Sequence, residues 1–378
     1  MKENNINKTY LLFLGVLSCA FLGTSSQEQP ALKDVFKNYF FIGAALNTQQ
    51  ILGEDTISNA IIGTQFNSIT SENVLKWELV HPRLEEYDFE LADRFVEVGE
   101  KKNMFIIGHT LVWHSQTPRW VFKDSSGEQV SREILLNRMH DHINMVVGRY
   151  KGRIKGWDVV NEALNEDGTL RNSQWMKIIG EDYLEKAFEF AHDADPEAEL
   201  YYNDFSLENE PKRNGAIKLI KKLQSKGINI FGVGLQGHYK MDWPTPAQLD
   251  STIKAFAELG IKVMITELDV DVLPYHWQNQ GADITFNIEM REKLNPYKSG
   301  LPDSVQLSLA ERYKDLFSVF IDNKEIVTRV TFWGVTDRDS WLNYWPVRGR
   351  TNYPLLFDRS GKPKPAYMAI IKIVQNKI

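Results

Sequence analysis

Beyond about residue 40, short runs of β-branched and aromatic residues alternate with longer stretches whose apolar positions recur every three to four residues. The short runs predict strands at 40–47, 66–73, 105–109, 154–162, 199–205, 228–238, 262–270 and 329–337. The longer stretches predict helices at 90–101, 132–150, 183–193, 212–225, 246–259, 306–323 and 365–375, with 55–65 the weakest helical pattern. Some strand runs are apolar on both faces, Val263-Met264-Ile265 among them, as parallel strands are when helices cover the sheet. Ser131 and Thr245, the latter followed by Pro246, suit helix caps, and Gly227 and Gly260 stand where helices should end.

Strand and helix units repeated in this way, joined by right-handed crossovers, wind round until they close, so the predicted fold is a (β/α)8 TIM barrel of the α/β class. A doubly wound open sheet is the competing architecture. The predicted strands end in polar or aromatic residues: Asn47, Glu72-Asn73, His109, Asn161-Glu162, Asn203-Asp204, Gln236 to His238, Glu267 to Asp269, and Asp337. A barrel gathers those ends on its C-terminal face, where active sites of this fold lie. No low-complexity stretch divides the chain after residue 30, so residues 27–378 are read as a single catalytic domain. One irregular segment, 273–304, is rich in Asn, Gln, Gly and Pro and would overhang the mouth beside Glu267.

The amino terminus carries a different pattern. Lys2 and Lys8 precede an apolar run from Tyr10 to about Gly23, followed by polar Thr24-Ser25-Ser26-Gln27. Residues 1–26 therefore read as a signal peptide cleaved near Ser26, which implies an exported protein, secreted or periplasmic. The run is short for a membrane span. Cys19, the single cysteine, lies inside it, leaving two fates open: loss with the leader, or lipid modification of an anchored protein. In neither case can the mature chain form an internal disulfide. The net charge of -6 argues against nucleic acid and anionic membranes as partners, and the expected working form is a monomer.

Candidate chemistry centres on two strings, Trp157-Asp158-Val159-Val160-Asn161-Glu162 and Ile265-Thr266-Glu267-Leu268-Asp269. Each is a strand run that reaches a glutamate near its end. Two carboxyls facing across one cleft can protonate and attack an acetal. Taken singly, either glutamate could equally cap a helix or pair with a cation. His238 ends the sixth predicted strand, next to the seventh, and can bond Glu267; Asp269, on the same strand face as Glu267, could orient His238.

Two decoys are set aside. Gly232 to Gly237 spells G-x-G-x-x-G, but Pro244 and Pro246 delay the helix that a dinucleotide fingerprint requires. His109, His114, His238 and Asp269 match no compact ligand spacing, so no metal and no cofactor is expected.

The motifs as an ordered set resemble those of glycoside hydrolase family 10, the endo-1,4-β-xylanases. They are Ser71-Glu72-Asn73-Val74-Leu75-Lys76-Trp77, Gly108-His109 through Gln116, Trp157 through Leu164, Gly234-Leu235-Gln236-Gly237-His238, Ile265 through Asp269, and Trp333-Gly334-Val335-Thr336-Asp337. The resemblance covers about residues 32–376. It implies Glu162 as general acid/base and Glu267 as nucleophile of a retaining double displacement on xylan and xylo-oligosaccharides. Asn161 would then hold the sugar 2-hydroxyl. Glu72, Asn73 and Lys76 would bind the next sugar toward the non-reducing end. His109, Trp113 and Gln116 would surround the sugar at the cleavage point. Gln236 would bond near the nucleophile, and Trp333 and Trp341 would floor and wall the cleft. A β-1,4-glucanase with the same machinery is the runner-up, and a non-catalytic glycan-binding barrel is the rival from another class.

Overall fold

The computed structural model describes residues 30–274, 292–345 and 348–376. The predicted leader with Cys19, and residues 275–291 of the predicted overhanging loop, lie outside them. In chain order the strands are β1 (Phe41–Leu46), β2 (Ser68–Ser71), β3 (Phe105–Trp113), β4 (Gly156–Asn161), β5 (Glu199–Asp204), β6 (Gly232–Leu235), β7 (His238–Lys240), β8 (Lys262–Asp271) and β9 (Val327–Phe332). Neighbours run β6-β5-β4-β3-β2-β1-β9-β8-β7, and a further β6–β8 pairing closes the ring. Every pairing is parallel. The closed parallel ring with helices around it is the expected (β/α)8 barrel.

One predicted strand is broken in two. The run 228–238 becomes β6 and β7, because Gly237 adopts a left-handed φ of 80° and turns the chain between Leu235 and His238. A side chain there would be strained. The glycines ahead of it serve the barrel's tight wall: a Cβ on Gly234 would lie 2.2 Å from Asn203 Oδ1, and one on Gly232 2.6 Å from Lys262 O. The G-x-G-x-x-G string is thus a close-packed strand leading into another strand. No helix opens at its last glycine.

Elsewhere the local signals act as read. Helix Thr56–Gln65, the weakest prediction, forms under a cap in which Asp55 accepts from Ser58 N at 3.1 Å. Ser131 caps Arg132–Arg149, and Thr245 with Gln248 makes a full capping box on Pro246–Ala257. Each such cap contributes about 1 kcal/mol. Helix Arg132–Arg149 buries Leu135, Met139, Ile143, Val146 and Val147, a stripe at helical spacing, in the hydrophobic layer between helices and strands. Full burial of each aliphatic side chain contributes about 1.5–3 kcal/mol. Short helices Trp77–Val80 and Gln174–Ile178 were not foreseen; both lie in loops on the C-terminal side of the strands.

Candidate active site

Several strand ends deliver side chains to one cluster at the C-terminal mouth. Glu267, on β8, is 5 % exposed. Its Oε2 faces His238 Nε2 at 3.2 Å, and its Oε1 accepts from Asn203 Nδ2 at 2.9 Å. Burial alone would push this carboxyl up. The His238 hydrogen bond, the charges of His109 and His238, and the Asn203 amide outweigh it, and hold Glu267 below the usual carboxylate range.

His238 is placed by strand register. β7 pairs His238 with Asp269 of β8, and the imidazole Nδ1 sits 3.1 Å from Asp269 Oδ1. Desolvation would lower the His238 pKa, but Asp269 and Glu267 together raise it to about 10, so the ring is a cation clamped between two carboxylates. Asp269 is fixed from its other oxygen by Trp341 Nε1 at 2.7 Å. His238 thus stands between Glu267 and Asp269, within 3.2 Å of the one and 3.1 Å of the other.

Glu162 is built differently. It follows β4 and holds a left-handed φ of 57°, a conformation that costs a residue with a side chain about 1–3 kcal/mol. Two backbone bonds hold it: Glu162 N donates to Asn203 O at 2.9 Å, and Arg171 Nε donates to Glu162 O at 3.0 Å. Its carboxyl Oε1 accepts from Gln236 Nε2 at 3.0 Å, and its Oε2 stands 4.0 Å from His114 Nε2. Gln236, expected near the nucleophile candidate, turns its side chain to Glu162 and Asn161, while its backbone oxygen accepts from Glu267 N at 2.7 Å.

A short polar chain joins the two glutamates. Asn203 Nδ2 faces the Glu267 carboxylate and so must be the nitrogen; the Asn161 atom 2.9 Å from it is therefore oxygen. Gln236 Nε2 reaches that same oxygen at 3.3 Å while bonding Glu162. Asn203 is wholly buried, and its own oxygen accepts from Thr266 Oγ1 at 2.7 Å. The sequence reading noted Asn203 only as a strand end. Its one signal was position: it is the β5 counterpart of Asn161, which it pairs across the two strands.

The remaining predicted residues gather on two sides. Lys76 is buried, donates to Asn73 Oδ1 at 3.1 Å and to Gln116 Oε1 at 2.9 Å, and lies 4.9 Å from the centroid of the Trp113 ring. Burial lowers its pKa, against the charges of Glu267, Glu72 and Glu162, which places the ammonium in the field of all three carboxyls. Glu72 is driven by burial to about 7, with Lys76 opposing and Asp339 adding to the rise. His109 Nδ1 bonds Asp158 Oδ2 at 2.9 Å, and its ring meets Trp333 edge-on at 5.4 Å. Trp341 lies against His238, ring centroids 4.8 Å apart, and stacks on Trp345.

Not every polar strand end joins the cluster. Asn47 caps helix Thr48–Leu52, and Asp337 is buried against Lys364 Nζ at 2.9 Å. Among the described residues no group of three His, Cys, Asp or Glu side chains is arranged to hold a metal.

The arrangement, an anionic carboxylate backed by a cationic histidine with a second carboxyl nearby, has relatives. The chain is 46% identical over 350 residues to endo-1,4-beta-xylanase A of Xylanibacter ruminicola, covering 93% of this chain and 95% of that protein. It is 44% identical over 366 residues to the beta-1,4-xylanase of Dictyoglomus thermophilum, covering 96% and 97%. Among solved structures, a GH10 endoxylanase retrieved from sugarcane soil metagenome superposes with a TM-score of 0.86 at 44% identity, covering 92% of this chain and all of that one. The family pattern of glycosyl hydrolase family 10 matches residues 31–373, and the chain belongs to that family.

Proposed function

We propose that the protein is an endo-1,4-β-xylanase that cuts internal β-1,4 linkages of xylan with retention of anomeric configuration. The observation that carries this reading is Glu267 held ionised between His238 and Asn203, joined through Asn161 and Gln236 to a second carboxyl at Glu162. In the first step Glu267 attacks the anomeric carbon while Glu162 gives its proton to the departing oxygen, leaving a glycosyl ester on Glu267. In the second, Glu162 takes a proton from water as that water attacks the anomeric carbon and releases Glu267. Asn161 holds the 2-hydroxyl. Glu72, Asn73 and Lys76 bind the next sugar toward the non-reducing end, and His109, Trp113 and Gln116 enclose the sugar being cleaved. These steps use only side chains of this chain.

Xylose is glucose without the C5 hydroxymethyl group, so walls such as Trp333 and Trp341 beside C5 would admit xylan and crowd cellulose. The names of the relatives support the same substrate. The amino-terminal pattern supports export, and among the described residues no helix is long and apolar enough to cross a membrane.

The test is chromatography of products from xylan and from defined xylo- and cello-oligosaccharides, with NMR of the first-formed anomer. Short xylo-oligosaccharides released as the β-anomer are expected, with cello-oligosaccharides far slower. Equal rates on both sugars would replace xylanase by a general β-1,4-glucanase, and a well-folded Glu267→Ala protein with normal turnover would remove the mechanism.

A further inference from the structure

Behind Glu162 lies a buried ion pair that the proposed steps do not use. Asp204, at the end of β5, and Lys212, in helix Glu210–Ser225, both have side chains without solvent exposure, and Lys212 Nζ sits 3.0 Å from Asp204 Oδ1. The same Oδ1 accepts from Phe205 N at 2.9 Å, and Oδ2 accepts from the Tyr202 hydroxyl and from Leu164 N, the latter at 3.4 Å. Lys212 continues to Glu166 Oε1 at 3.1 Å and lies 3.4 Å over the Phe205 ring.

Two of these contacts reach the segment after Glu162. Leu164 is tied to Asp204, and Glu166 to Lys212. Farther along, a Cβ on Gly215 of the Lys212 helix would lie 2.3 Å from Gly168 O, so the loop is pressed backbone to backbone on that helix. Glu162 itself hangs from Asn203 O, one residue before Asp204. Burial lifts the Asp204 carboxyl to about 6, against Lys212 and Tyr202, and the charge of Glu162 adds to the rise, so the two carboxyls feel each other.

A buried ion pair gains little net stability, because desolvation offsets its Coulomb attraction, and apolar replacements are often neutral or better. Stability alone is therefore a poor reason for this one. We propose that Asp204 and Lys212 form a positioning pair for the proton donor, fastening the loop that follows Glu162 so that its carboxyl meets the departing sugar oxygen. This deepens the xylanase reading and rests on it. Neither residue touches substrate, and neither transfers a proton.

The test exploits the fact that protonation matters only for poor leaving groups. Asp204→Asn, which keeps the volume, and the double variant Asp204→Asn/Lys212→Met, which leaves no charge buried alone, are compared with wild type. Lys212→Arg is the conservative control. The substrates are methyl β-xylobioside, whose alcohol must be protonated to leave, and 2,4-dinitrophenyl β-xylobioside, whose phenolate leaves unaided. The expected result is a loss in kcat/KM of about tenfold or more on the methyl glycoside and less than about twofold on the dinitrophenyl one, with Lys212→Arg near wild type. Equal losses on both substrates, or no loss on either, overturn the proposal. A wild-type protein inert toward both glycosides overturns the functional reading as well.

Discussion

Asn203 offers the sharpest electrostatic test of Glu267 as the proposed nucleophile. Its amide nitrogen stands 2.9 Å from Glu267 Oε1 in a fully buried position, where Asn203→Asp replaces one donor by a carboxylate oxygen of the same size. Two carboxylates in such contact cannot both stay ionised. With charge centres about 4 Å apart and an effective dielectric constant of about 20, their repulsion is about 4 kcal/mol. At 1.36 kcal/mol per unit, that moves the second ionisation of the pair up by about three pH units. The proton enters at the site where a free carboxylate must attack. The acid limb of kcat/KM, which reports the free enzyme, should therefore shift upward by about that amount. Two units below the new midpoint, about a hundredth of the activity should remain.

Asn203→Ala separates charge from position. It removes a hydrogen bond to a charged group, worth about 1.5–3 kcal/mol, and adds no charge, so its acid limb should move by at most about two units. Both variants are assayed as kcat/KM on 4-nitrophenyl β-xylobioside across the acid range, with thermal melting to confirm folding. An Asn203→Asp protein whose acid limb coincides with that of wild type would refute the reasoning, since no carboxylate beside a working nucleophile could leave its titration untouched.

Three further outcomes follow from groups already described. His238 is raised from 6.5 to about 10, so its stabilisation is complete below about pH 6.5 and is lost as pH rises through 10. The melting-temperature gap between wild type and His238→Gln should be widest near pH 6 and should narrow above pH 10; a constant gap argues against the charged ring. Glu72 is raised from 4.5 to about 7, so stability falls as pH rises through that window and the buried carboxyl ionises. Glu72→Gln should therefore melt higher than wild type above pH 7 and match it near pH 4.5; no difference above pH 7 rejects the burial argument. Lys364 holds Asp337 at 2.9 Å, both buried, and Tyr353 O at 2.7 Å, so Lys364→Met should lose about 3–5 kcal/mol in urea unfolding. Unchanged stability would show that Asp337 is not ionised.

The barrel was legible because its signal is repeated: apolar strand runs, helical stripes and their caps agree along the whole chain. Ordered motifs also named most of the cluster, including the Glu267–His238–Asp269 chain, which follows from strand adjacency alone. What escaped was the direction each polar strand end takes. Asn47, Asn203, Asp204 and Asp337 look alike in sequence, yet one caps a helix, one bridges the two glutamates and two are buried against lysines. Asn203 and Asp204 are neighbours on β5 and so point to opposite faces, whereas Asn47 and Asp337 lie beyond the ends of β1 and β9, where alternation no longer sets direction.

The two glutamates are held by opposite means, and the proposed chemistry asks for that. A nucleophile must remain an anion until it forms its ester, so donors and a fixed cation around Glu267 only help. A proton donor changes charge twice in each turnover. Enclosing Glu162 in strong donors would hold one of its two states too firmly. The side-chain bonds that reach its carboxyl come from the neutral amides of Gln236 and Asn161, the latter at a long 3.4 Å. Precision then has to come from the backbone, through the left-handed φ, the bond to Asn203 O, the Arg171 clasp and the loop fastened to Asp204 and Lys212. Strain at Glu162 and a buried ion pair behind it are thus two parts of one solution: a carboxyl fixed in place by its chain rather than by charged partners on its oxygens.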